Sequence, residues 1–175
     1  MEETLLAAYL AGDQLAFSQL VLLYRKPAVL FALRLTRSLP CAEDAVQEAF
    51  AWMLTYPNRI KAEYGFKALL YTLVRRRCMD WFRSLRKTVP LDEASGAGVY
   101  APDAVFAFEE SQALYKALAG LRPRYARIIH LVDLDGFSQK EAAQILGMTA
   151  GALKTAHHRA KEQLRRCMQK EASIS

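Results

Sequence analysis

Between residues 139 and 156 the chain meets, at fixed distances, the steric demands of two helices crossing at a tight turn. Ala143 stands where the helices would cross, a point at which a larger side chain would push them apart. Gly147 follows four residues later, where the backbone must adopt a positive φ. Leu153 comes after six more, and Ala142, Leu146, Met148 and Ala156 supply apolar inner faces. Ser138 and Glu141 are spaced as a capping box ahead of the first helix, and Thr149 is placed to cap the second. This is the pattern of a helix-turn-helix. The alternative, an ordinary helical hairpin in a bundle, does not ask for all of these features together.

The outer face of the second helix is polar. Lys154, Thr155, His158 and Arg159 point away from Leu153 and Ala156. Side chains near the start of such a helix, Thr149 included, reach base edges, and basic ones further along, such as Lys161, meet phosphates. Arg165 and Arg166 extend the positive surface. His157 and His158 are neighbours, so their side chains diverge by about 100° on a helix. With no third ligand nearby, DNA contact or plain exposure is expected of them, not metal binding.

The rest of the chain reads as helical. The expected elements are 5–11, ending at Gly12; 14–35, with a kink or break at Pro27; and 42–56, stopped by Pro57. Ala45, Val46, Ala49, Phe50 and Met53 share one face of the third. A loop covers 58–65, and a long helix covers 66–87. Two prolines and the glycines Gly96 and Gly98 break all periodicity over 88–108, which marks a linker. Helices resume at 111–121, 123–134, 138–146 and 149–170. The expected fold is all-α: two small helical domains joined by a flexible linker, with the helix-turn-helix in the C-terminal one. The boundaries are 1–87, 88–108 and 109–175.

At 53% hydrophobic and 24% charged residues, the chain has enough apolar material for two such cores. No apolar run approaches the roughly 20 uninterrupted residues of a membrane span. The chain begins Met1-Glu2-Glu3, acidic where a signal peptide would be basic, so a cytoplasmic location is expected. Cys41, Cys78 and Cys167 form no Cys-x-x-Cys pair, so neither a disulfide framework nor a zinc site is expected. There is no Gly-rich phosphate loop and no nucleophile–base pair. No catalytic residue, cofactor, metal or small-molecule substrate is expected.

The net charge of +6 is unevenly spread. Residues 66–87 carry seven basic side chains against Asp80 alone, and 150–170 carry six against Glu162 alone. Residues 88–115 hold five acids and no Lys or Arg. Two basic blocks flanking an acidic connector suit a nucleic-acid partner, although either block alone would pass for a solvated helix face.

The whole chain, from about residue 4 to 167, resembles the extracytoplasmic-function sigma factors, the smallest members of the sigma-70 family. The resemblance is carried by Ala11-Gly12-Asp13, Ala16-Phe17, and Phe31-Ala32-Leu33-Arg34-Leu35. It continues through Ala42-Glu43-Asp44-Ala45-Val46-Gln47-Glu48-Ala49-Phe50, the most recognisable segment, and through Phe66-Lys67-Ala68-Leu69-Leu70-Tyr71 and Asp80-Trp81-Phe82-Arg83. Leu91-Asp92-Glu93, Gly151-Ala152-Leu153-Lys154-Thr155 and Arg159-Ala160-Lys161 complete it. Each motif is weak alone; their order and spacing are specific.

The resemblance implies a subunit that binds core RNA polymerase through its clamp and flap regions and directs promoter-specific initiation. Asp44, Gln47, Glu48 and Phe50 would meet the clamp, although Asp44 and Glu48 also simply suit a helix N-terminus. Lys61, Tyr64, Arg75, Arg76, Arg77 and Arg83 would bind and open the −10 element. Trp81 or Phe82 would stack on an unpaired base, a role that core packing fits equally well; Trp52 is expected in the core. Thr149, Lys154, Thr155, His158, Arg159 and Lys161 would read the −35 element. The acidic linker would thread toward the RNA exit path, and an anti-sigma factor is a partner implied by the family only. Arg76 stands where the family commonly has Asn, Leu69 where it has Trp, and Ala156 where an Arg often stands. His158 is an unusual contact side chain. The competing reading is a stand-alone helix-turn-helix regulator with an N-terminal sensing or dimerisation domain, which has no need of a second basic surface.

Overall fold

The computed structural model describes residues 1–60, 65–88, 114 and 116–172, and divides into two compact units, Met1–Ser95 and Gly96–Ser175. Among the described residues all regular structure is helical, as expected. The linker expected over 88–108 lies, beyond Thr88, outside the described residues, as do Lys61 and Tyr64.

The first unit contains α1 (Glu2–Leu10), α2 (Gln14–Thr36), α3 (Leu39–Thr55), a 3₁₀ turn (Pro57–Arg59) and α4 (Phe66–Thr88). Gly12, at φ +104°, lets the chain reverse between α1 and α2. Asp13 then caps α2, its carboxylate accepting the Leu15 and Ala16 amides at 2.9 and 3.4 Å. α3 starts at Leu39, earlier than expected, because Pro40 falls in its first turn, where an amide would have no helical acceptor.

Of the kink or break expected at Pro27, the break does not occur: α2 runs unbroken through it. Proline removes one in-helix hydrogen bond, but α2 packs against α1, α3 and α4, and that tertiary burial outweighs the local loss. By length and composition alone α2 could cross a bilayer. Its Phe17, Leu20, Ala28, Phe31 and Ala32 are instead buried in the unit, and Arg25 and Lys26 lie exposed at mid-helix.

An aromatic chain fills this core. Phe17 lies 4.7 Å from Tyr9, 6.3 Å from Phe50 and 6.1 Å from Phe66 by ring centroids, so single rings join all four helices. The Tyr9 hydroxyl donates to the Met53 carbonyl at 3.0 Å. Trp52 is only half-buried beside Tyr56, not in the core as expected.

In the second unit residues 116–119 are helical, followed by α5 (Pro123–Ile129), α6 (Gln139–Leu146) and α7 (Ala150–Ala172). Leu118, Leu121, Ala126, Ile129 and Ala160 form the core that seats α7 on α5. The helix expected over 123–134 changes character at its end: His130–Leu134 is a π turn, with the Asp135 amide donating to the His130 carbonyl at 2.7 Å.

Candidate nucleic-acid interface

The helix-turn-helix forms as its residues dictate. The Ser138 hydroxyl accepts the Glu141 amide at 3.2 Å, and Glu141 returns a carboxylate oxygen to the Ser138 amide at 2.8 Å. Gly147 closes α6 in the left-handed region at φ +65°. Thr149 accepts the Ala152 amide at 3.2 Å and so starts α7. Ala142, Ala143, Leu153 and Ala156 are buried where α6 meets α7, and Leu146 and Met148 are half-buried at the margin. Ile145, buried between them, was not foreseen, although it lies three residues from Ala142 on the same stripe.

Lys154, Thr155, His158 and Arg159 are all exposed on the outer face of α7. Thr149, exposed at its start, holds its hydroxyl on the cap. Lys161 is exposed as well, and its ammonium lies 3.1 Å from Asp133, a pairing between α7 and the π turn that the sequence did not indicate. His157 is not exposed but turned into the unit. It is 6% exposed, with Nε2 2.7 Å from Asp133 on the π turn and Nδ1 3.3 Å from the Gln139 amide nitrogen. The signal was present, since His157 follows Leu153 by four residues and precedes Ala160 by three, along the buried stripe.

The arginines of α4 divide by helical angle. Arg76 and Arg83, seven residues apart, share the outward face; Arg83 also pairs with Asp80 at 2.8 Å. Arg75 is half-buried, and that burial lowers the pKa of its guanidinium. Arg77 turns toward α3, where its Nε lies 2.9 Å from Glu48. Trp81 and Phe82 are half-buried and meet edge to face at 4.9 Å.

On α3, Asp44, Gln47 and Glu48 are exposed, but Phe50 is 8% exposed and packs on Phe17 and Phe66. Phe50 therefore belongs to the core and not to the surface α3 presents, because its position puts it on the stripe of Val46, Ala49 and Met53. A groove between α3 and α4 is lined by Cys41, Asp44, Glu48, Arg77, Asp80 and Trp81. The described residues thus carry three polar surfaces: acidic and amide on α3, basic on α4, and basic on α7. Among the described residues no group of His, Cys, Asp and Glu is arranged to hold a metal ion.

These surfaces define an all-helical protein with a helix-turn-helix in one unit and a second basic helix in the other. Residues 20–88 match Sigma-70 region 2, and residues 111–164 match Sigma-70, region 4. The chain is 32% identical over 155 residues to the ECF RNA polymerase sigma factor SigF of Caulobacter vibrioides, covering 86% of this chain and 84% of that one. It is 29% identical over 168 residues to the ECF RNA polymerase sigma factor SigW of Bacillus subtilis, covering 89% and 90%. The sigma factor RpoE from Bartonella quintana, solved in complex with the anti-sigma factor NepR, superimposes with a TM-score of 0.67 at 25% identity, over 87% of this chain and 96% of that one. CnrH, solved in complex with the cytosolic domain of CnrY, shares the fold with a TM-score of 0.65 at 22% identity, over 97% of each chain. The chain belongs to the ECF RNA polymerase sigma factors, and it directs transcription initiation as a sigma factor.

Proposed function

We propose a division of this work among the three surfaces. Residues 1–87 bind core polymerase and the −10 element, 88–108 connect, and 109–175 read the −35 element. Asp44, Gln47 and Glu48 face the polymerase clamp. Arg76 and Arg83 hold −10 phosphates, with Arg75 beside them and Lys61 and Tyr64 contributed by the preceding loop. Arg77 positions Glu48 and reaches DNA only if it leaves that pair. Lys154, Thr155, His158 and Arg159 meet the −35 duplex from α7, with Thr149 at its N-terminus; Lys161 serves the inside of the unit. The observation that carries this reading is the separation of charge: among the described residues, exposed acids gather on α3, and exposed cations gather on α7 and the outward side of α4.

The protein acts where polymerase acts, in the cytoplasm, and as a specificity subunit with no catalytic residue of its own. An anti-sigma factor, by analogy with the partner of RpoE, would compete for the same surfaces.

The test is co-migration with core RNA polymerase on a sizing column, followed by transcription from a cognate promoter. Asp44→Ala with Gln47→Ala is expected to weaken core binding about tenfold or more, the loss typical of removing charged anchor groups from an interface. Lys154→Ala or Arg159→Ala is expected to cut promoter use and leave core binding intact. Equal loss of core binding in both sets would end the division of labour. No association with core, together with tight duplex binding by the chain alone, would favour a stand-alone regulator.

A further inference from the structure

α7 is seated by a stripe made largely of alanine: Leu153, Ala156 and Ala160 are its buried apolar contacts along the helix-turn-helix. Methyl groups close the crossing but resist rotation of the helix weakly, because they interdigitate little with the facing surface. Hydrogen bonds are directional, and one buried ring supplies them here. His157 stands at the edge of the stripe, one residue before His158 and three after Lys154, so its own placement sets where the outer face points.

The two bonds of this ring reach two different segments. Nε2 meets Asp133 Oδ2 at 2.7 Å on the π turn, and Nδ1 meets the Gln139 amide at 3.3 Å in the first turn of α6. A carboxylate accepts only, so the Nε2 proton is donated to Asp133, and Nδ1 accepts from Gln139. One neutral tautomer satisfies both partners. The second carboxylate oxygen of Asp133 lies 3.1 Å from the Lys161 ammonium, one turn further along α7. α7 is therefore tied to the π turn at two points and to α6 at a third.

We propose that His157 is a positioning residue for promoter discrimination: through Asp133 and Gln139 it holds the roll of α7, so that the side chains on its outer face meet base edges in register. The inference rests on the reading of α7 as the helix that faces the −35 duplex. Base-edge bonds demand placement within a few tenths of an ångström, whereas phosphate contacts tolerate sliding and turning. Loosening the roll removes discrimination and spares sequence-independent binding.

The experiment uses the full chain assembled with core polymerase. The probe is the −35 duplex that the wild-type assembly selects from a random library, compared with the same duplex carrying substituted base pairs. His157→Leu fills the buried site with an apolar side chain and deletes both bonds. It is expected to reduce the ratio of selected to substituted binding by about tenfold, the value of roughly one good base contact, while binding to substituted duplex and to core stays within about twofold. His157→Gln, whose amide can still donate to Asp133, is expected to recover part of the ratio. Wild-type discrimination in His157→Leu, or an equal fall on both duplexes, overturns the proposal. Should His157→Leu lose its helical circular dichroism, Asp133→Ala breaks the same bond from a half-exposed position, and unchanged discrimination there overturns it equally. Lys154→Ala is the control on the underlying reading: if it leaves duplex binding unaltered, α7 is not the reading helix, and that failure is distinct from a tight-binding Lys154 wild type whose His157 variants still discriminate.

Discussion

Glu2 acts on a backbone amide sixty-five positions away. Its Oε1 accepts the Lys67 amide at 3.1 Å, in the first turn of α4, and Oε2 accepts the hydroxyl of Tyr24. The start of α4 thus takes its cap from the start of the chain. Tyr24 is held protonated to higher pH than usual, first by burial and then by its bond to, and the charge of, Glu2. Burial likewise pushes the Cys78 thiol up to about 12. Both groups favour the folded state in their protonated forms, so their contribution is complete below their unfolded pKa values and is lost as pH rises toward the folded ones. Urea unfolding of the first unit is expected to show falling stability above about pH 8, where an unfolded thiol begins to ionise. In the same pH range native protein should alkylate at half-exposed Cys41 and Cys167 well before Cys78; equal labelling rates would contradict the burial of Cys78.

Elements begin and end here through caps of different reach. The capping box of Ser138 and Glu141 is local and was legible in the sequence, as was the left-handed stop at Gly147. Ser138→Ala is expected to lower the stability of the second unit by about 1 kcal/mol. Gly147→Ala should cost about as much again, because its φ of +65° strains any residue with a Cβ. Thermal melting of each variant checks both values, and a Gly147→Ala protein as stable as wild type would mean that the turn adopts another conformation. The π turn at His130–Leu134 was not legible. Apolar spacing over 123–134 suits an α-helix as well, and the difference lies in where the turn must deliver Asp133. Pro27 makes the opposite point: a local rule predicts a kink or a break, and packing on three neighbouring helices keeps the helix from breaking.

At the scale of the molecule, the two units each contain a core built from their own residues. Fragments 1–88 and 111–175 are therefore expected to melt cooperatively when made separately, with circular dichroism that adds up to most of the helical signal of the whole chain. A fragment that stays unfolded alone would show that its core needs the other unit.

The sequence by itself determined the helical class, the order of elements, the helix-turn-helix and the family, because periodicity, caps and motif order are properties of neighbours three to seven residues apart. It did not determine which side chains stay free at the surface. Arg77 and Phe50 were both assigned to surfaces, yet one pairs with Glu48 across two helices and the other joins an aromatic core. His157 meets partners 24 and 18 positions away, and Lys161 shares the first of them. Those pairings depend on how helices cross, and a crossing brings together residues whose separation along the chain carries no periodic trace; only the tertiary structure could decide them.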